Sequence, residues 1–202
     1  MIRVIDSSSK GNAVLYDNVL VDVGVSVKKL TPFIKDIEIV LLTHIHSDHF
    51  NLKTLQALKK QKDIVIGCCE WMVEHLKDLD YVVMECGKIY EIKGVKISPV
   101  KLYHDVENCG YRLITSRKIF HATDTGTLKG ITARNYDVYA IEGNYDEEVM
   151  NEKLKEDGFQ HGYRSMRTHL SIQEREKFIK DNAGKEYLDL KLHKSNTYGG
   201  ER

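Results

Sequence analysis

Short apolar runs separated by turn residues dominate the first half of the chain. Residues 13–16 and 19–23 flank Asp17-Asn18, which reads as a hairpin turn between two strands. Residues 37–43 are almost continuously apolar, as in a strand covered on both faces. From Asn51 to Lys60 the spacing changes, and Leu52, Leu55 and Leu58 fall on one face of a helix. A strand at 64–67 and a helix at 70–79 follow. Further strands are expected at 81–85, 88–92, 95–101, 110–115, 118–121 and 138–142. The polar, periodic segments 146–156 and 171–182 read as helices. Ser171 and Glu174 stand in the capping-box positions of the second. A last strand is expected at 188–193. Strands with turns, then strand and helix alternating twice, predict an α/β fold. Its architecture is a four-layer αββα sandwich, two mixed β-sheets with helices outside. No linker or repeat interrupts the pattern, so the expectation is one domain over 1–202, with 196–202 as a loose tail.

Composition narrows this picture. A chain of 202 residues with 42% hydrophobic content can bury a sizeable core. Thirty basic residues balance thirty acidic ones, so there is no whole-chain basic footprint, although a local basic patch is compatible with zero net charge. No basic segment leads into a long apolar core at the amino terminus, and no apolar run approaches the roughly 20 residues of a membrane span. Neither a signal peptide nor membrane attachment is expected. Cys68, Cys69, Cys86 and Cys109 form no Cys-x-x-Cys pair and read as reduced thiols of a cytoplasmic protein.

The chemistry concentrates after the apolar run at 37–43. Thr43-His44-Ile45-His46-Ser47-Asp48-His49 places three histidines and an aspartate within six residues. His44 and His46 are two residues apart at a strand end, so their rings share a side. Asp48 and His49 follow where the chain turns toward a helix and address a second point nearby. This arrangement suits two metals about 3.5–4 Å apart. Imidazole with carboxylate favours zinc, with manganese or iron as alternatives. His104, Asp124 and His193 each follow a further predicted strand. Singly, each is better explained by a surface or turn role. Together they place ligand-type side chains at successive strand ends, on one rim.

Thr-His-x-His-x-Asp-His resembles the signature of the metallo-β-lactamase fold superfamily. Asp22, in Val21-Asp22-Val23-Gly24, is similar to its early structural aspartate. His104, Asp124 and His193 are similar to its later metal positions, in order. Ser7-Ser8-Ser9-Lys10-Gly11-Asn12, Thr123-Asp124-Thr125-Gly126, Glu142-Gly143-Asn144-Tyr145-Asp146 and His169-Leu170-Ser171 resemble the YycJ (WalJ) branch. His193-Lys194-Ser195 resembles the His-x-Ser of that branch and of RNase Z. Both are phosphodiesterases, and the YycJ branch is associated with 5′-to-3′ DNA exonuclease activity. Asp6 stands where that branch has glycine, and Lys194 where it has a small apolar residue.

The resemblance implies that His44, His46 and His104 hold one metal. Asp48, His49 and His193 hold the other, with Asp124 bridging. Two cations lower the pKa of a shared water toward about 7 and offset charge on a phosphate during in-line attack. Asp48 or Asp124 would steer the remaining proton of that water. Glu142 hydrogen-bonded to His169 fixes the imidazole tautomer and leaves its other nitrogen to serve the leaving oxygen. Asp22 orients a ligand histidine from beneath. Ser8, Ser9 and Asn12 are candidate phosphate donors, with a plain loop turned by Gly11 as the alternative. Arg164 and Arg167 are candidate phosphate ligands, with a solvated polar loop as the alternative. The expected function is a dinuclear-metal hydrolase, a phosphodiesterase or nuclease acting on a phosphodiester substrate such as single-stranded DNA. The alternatives are hydrolysis of a cyclic nucleotide or other small phosphodiester, thioester or lactam hydrolysis, and a metal-binding module without catalysis.

Overall fold

The computed structural model describes residues 1–155 and 160–193, the side chains of 160 and 161 excepted. The expected tail at 196–202 and the expected helix end at residue 156 lie outside the described residues. The chain forms two compact units. One comprises Met1–Val100 with Ile114–Ser116, the other Lys101–Leu113 with Arg117–Arg202.

The first unit is built on a six-stranded sheet. Its strands are β1 (Ile2–Ser8), β2 (Gly11–Tyr16), β3 (Val19–Val21), β4 (Ile39–Leu42), β5 (Val65–Cys69) and β6 (Val82–Met84), adjacent in that order. β1, β2 and β3 pair antiparallel, and β3 to β6 run parallel. Asp17 makes the two-residue turn between β2 and β3 with φ 51°, a left-handed conformation that aspartate tolerates. β2, β3 and β4 are buried along their whole length, which explains why their sequences read as continuous apolar runs. A short helix, α1 (Val27–Leu30), and α2 (Leu52–Gln61) accompany the sheet. Leu55 and Leu58 of α2 join Leu15, Leu20, Val40, Leu42 and Ile66 in one apolar cluster. Asn51 caps α2 by accepting from the Thr54 amide at 3.1 Å.

Two segments differ from expectation. β1 is a strand where the polar Asp6-Ser7-Ser8 concealed the pattern, and its register shifts between Val4 and Asp6. Residues 70–79 do not form an α-helix. A 3₁₀ turn covers Glu70–His75, and Leu76 and Leu79 each bond three residues back. The Trp71 indole donates to the Thr43 carbonyl at 3.1 Å, anchoring this turn to the end of β4.

A second sheet has the order β12-β11-β10-β9-β8-β7. Its strands are β7 (Tyr90–Ile92), β8 (Val95–Tyr103), β9 (Glu107–Ile114), β10 (Lys118–Ala122), β11 (Val138–Glu142) and β12 (Leu188–Leu192). β10, β11 and β12 are parallel, while β7 and β8 are antiparallel. Both sheets are therefore mixed, as expected. The helices α3 (Glu147–Lys153), α4 (Gln160–Thr168) and α5 (Ile172–Asn182) belong to the second unit. Asp146 caps α3, and Ser171 caps α5 by accepting from the Glu174 amide at 3.0 Å. Buried Arg175 ties α5 to the sheet by donating to the Ile141 carbonyl and pairing with Asp189 on β12. Helix α4 carries no apolar run and escaped the periodicity argument. Among the described residues, no helix is long and apolar enough to cross a membrane.

Candidate metal centre

In the first unit the ligand loop leaves the end of β4 and reaches α2 within nine residues, 43–51. It is braced from below by Asp22. One carboxylate oxygen of Asp22 accepts from the Thr43 amide at 2.9 Å, and both accept from the Thr43 hydroxyl. The other lies 2.6 Å from His49 Nδ1. Asp22 is itself held at φ 63°, a strained backbone of the kind that survives where its surroundings over-determine it. With Nδ1 of His49 committed to a carboxylate, Nε2 is the nitrogen left to bind. His44 repeats this pattern. Its Nδ1 lies 2.9 Å from the Thr43 hydroxyl, while its Nε2 lies 3.2 Å from His46 Nδ1.

Asn12 closes the other side of the loop. Its amide nitrogen lies 3.2 Å from an Asp48 carboxylate oxygen and 2.9 Å from His49 Nε2. Its backbone amide donates to the Asp48 carbonyl at 2.6 Å. A side chain on Gly24 would place Cβ 1.7 Å from that same carbonyl, so the loop can descend this far only over a glycine.

In the second unit Asp124 follows β10 at φ 55° and His193 follows β12 at φ 45°. Asp124 Oδ1 is 3.3 Å from both His193 Nε2 and His169 Nδ1. Glu142, fully buried at the end of β11, is 3.0 Å from His169 Nδ1 through Oε2. Its Oε1 accepts from the backbone amides of Thr125 at 2.6 Å and Leu170 at 3.3 Å. One carboxylate thus joins the Asp124 loop to the His169 loop. Burial opposes the charged form of His169 and is the largest single influence, while the negative charges of Glu142 and Asp124 act against it. With the hydrogen bonds to Asp124 and Glu142, these charges carry the His169 pKa up to about 10. The rings of His169 and His193 stack with centroids 5.2 Å apart, and those of His169 and His104 lie 5.3 Å apart. His104 donates through Nδ1 to the Thr168 carbonyl at 2.8 Å. Nε2 of His104 lies 3.1 Å from Asp105 Oδ1.

The structure brings together His44, His46, Asp48 and His49 in one unit, and His104, Asp124, Glu142, His169 and His193 in the other. In both, ring nitrogens are fixed by a carboxylate, hydroxyl or carbonyl on one side, as metal-ligand histidines require. The donors are imidazole and carboxylate, a set that fits divalent zinc, manganese or iron. The serine-rich segment is different. The Ser8 hydroxyl donates to Asp6 at 3.1 Å and accepts from the Lys10 amide within the β1–β2 connection, and Ser9 is exposed there. Asn12 is 4% exposed and engaged with the ligand loop, so its amide braces ligands rather than standing open to a phosphate. Arg164 and Arg167 lie on α4, not on a loop. His121 is buried within β10.

Two supporting residues were not visible in the sequence. Asn108, on β9, donates to the Thr123 and Asp124 carbonyls at 3.0 and 2.6 Å. Asn144 donates to the His193 carbonyl at 3.1 Å. Nothing local marks either, since each acts on a segment distant in the chain. Cys68, Cys69 and Cys109 are buried. Burial, with the Glu70 charge, pushes the Cys68 thiol up to about 12, which makes it inert.

Comparisons with known proteins identify the family and the fold. The family described as Beta-lactamase superfamily domain matches residues 17–188. Exodeoxyribonuclease WalJ of Streptococcus pneumoniae is 31% identical over 170 residues, which is 73% of this chain and 63% of the relative. The chain therefore spans less than two thirds of that relative's length. Among solved structures, the metallo-beta-lactamase fold protein YhfI from Bacillus subtilis has a TM-score of 0.75 at 18% identity, covering 96% of this chain and 86% of its own. The short form of human tRNase Z has a TM-score of 0.70 at 17% identity, covering 96% and 92%. These two likenesses concern the fold. With the family match spanning residues 17–188, the chain belongs to the beta-lactamase superfamily and has the metallo-β-lactamase fold.

Proposed function

We propose that this protein is a dinuclear-metal phosphodiesterase acting on nucleic acid, and specifically an exonuclease of single-stranded DNA. In this reading His44, His46 and His104 hold one ion and Asp48, His49 and His193 the other, with Asp124 shared. Zinc suits these donors best. Such a pair supplies an acidified water and offsets phosphate charge.

The observation that carries the phosphodiester reading is His169 held against buried Glu142 at 3.0 Å. Glu142 takes Nδ1 and fixes the ring, and its charge favours the protonated imidazole. Nε2 is left to donate to a phosphate oxygen and then to the leaving oxygen. Asp48, half-buried on the loop, steers the proton of the attacking water. Asp22 orients His49, and Glu142 also holds the Asp124 turn in place through Thr125. The 31% identity to an exodeoxyribonuclease supports a DNA substrate, and the burial of the Cys68, Cys69 and Cys109 thiols supports a cytoplasmic setting.

End-labelled single-stranded DNA incubated with the protein and zinc or manganese should shorten stepwise. Intact DNA beside a hydrolysed cyclic nucleotide would replace this reading with a small-molecule phosphodiesterase.

A further inference from the structure

Within the second unit, α4 and the end of β8 enclose a cavity of about 410 Å³ lined by His104, Asp105, Tyr163, Arg164, Arg167 and Thr168. That volume lies in the range of small-ligand pockets, roughly 300–1,000 Å³. We propose that this cavity seats the nucleotide next to the scissile phosphate, with Arg164 and Arg167 on its phosphate and Tyr163 stacked on its base. The inference rests on the phosphodiesterase reading above and names the substrate as a single-stranded polynucleotide.

Three observations carry it. First, the lining has an uneven charge, with two guanidinium groups against the single Asp105 carboxylate. Arg164 already spends one nitrogen on Asp105 at 2.5 Å. That contact fixes the guanidinium, whose remaining donors match a phosphate. Second, Tyr163 is 61% exposed. Tyr163 and Arg167 are four residues apart on α4, so they share a face. An exposed aromatic ring beside arginines is the combination that binds unpaired bases and their backbone. Another cavity of this unit, lined in part by Lys129, Arg134, Lys177, Glu174 and Asp181, has the same single excess of positive charge but no exposed aromatic. Third, the cavity is tied to the candidate centre by backbone. The Thr168 carbonyl lies 2.8 Å from His104 Nδ1, and the Thr168 hydroxyl donates to the Arg164 carbonyl at 2.8 Å. A Cβ on Gly126 would lie 2.2 Å from the Arg167 carbonyl, so the end of α4 packs against the loop that carries Asp124. A nucleotide seated here is held one step from the chemistry.

The test is fluorescence anisotropy of a labelled oligothymidine with non-hydrolysable linkages, binding to the metal-loaded full chain across a salt series. Arg167→Ala should weaken binding about tenfold and reduce the salt slope by about 0.7, the value for one phosphate contact on a single strand. Tyr163→Ala should weaken binding about fivefold or more with the slope unchanged, as loss of stacking predicts. Arg134→Ala, an exposed arginine at the other cavity, should change neither. Wild-type affinity retained in both Arg167→Ala and Tyr163→Ala, or no binding by the wild type, overturns the inference. Hydrolysis of bis(4-nitrophenyl) phosphate is read separately. Its absence in the wild type counts against the phosphodiesterase reading, whereas unchanged strand binding in an active enzyme counts against this cavity alone.

Discussion

The two sets of ligand-type residues are built in opposite ways. In the first unit four donors lie within six consecutive residues, braced by Asp22 and Asn12. In the second, Asp124, Glu142, His169 and His193 come from four separate segments. They are drawn together by crosslinks, Glu142 to Thr125 and Leu170, Asn108 to Asp124, and Asn144 to His193. The compact set depends on one loop folding tightly over its floor. The dispersed set depends on parallel strands ending side by side. Both rely on a glycine that lets backbone approach backbone, Gly24 under Asp48 and Gly126 beside Arg167.

The largest expected effect separates these two glycines. Gly24→Ala forces a Cβ to 1.7 Å from a carbonyl at the heart of the loop, against 2.2 Å for Gly126→Ala. Gly24→Ala should cost about 3 kcal/mol or more and Gly126→Ala about 1–3 kcal/mol, measured by urea denaturation. Equal, small losses would show that the loop is not held by its floor. Next is His169→Ala, which should lower kcat on DNA by about 10²–10⁴-fold while bound metal is retained. Metal loss of the same size would assign His169 to the ligands instead.

Asp22→Asn removes the negative charge against His49 and should weaken metal binding about 10–100-fold, read by competition with a chelator. The smallest effect is expected at the dispersed set's outermost brace. Asn108→Ala leaves two buried carbonyls short of a donor and should cost about 1–3 kcal/mol. If Asn108→Ala proved more damaging than Gly24→Ala, the contrast between the units would be reversed.

The same contrast decides what the sequence reveals. The loop at 43–49 announces itself because its donors are adjacent and follow an apolar strand. Each donor of the second set is a single polar residue after a strand, interpretable only with the others. Asn108 and Asn144 act across the fold and leave no periodic or local mark. The buried strands β2 to β4 and β11 were legible because each carries an apolar run, interrupted only at Asn12 near the start of β2 and at Glu142 ending β11. β1 was not, because Asp6, Ser7 and Ser8 interrupt it. Helix α4 was not, because it carries no apolar run. The turn at 70–75 misled because Met72 and Leu76 are spaced as in an α-helix, while the Trp71 contact to Thr43 pins a tighter turn.

The central claim is that the compact and dispersed sets act as one dinuclear centre. Elemental analysis of the protein after metal loading and desalting tests it most directly, on the wild type and on His46→Ala and His193→Ala. The account predicts about two metal ions per wild-type chain, and fewer than two in each variant although one ligand comes from each set. A single tightly bound ion in the wild type, unchanged by loss of His193, would contradict it.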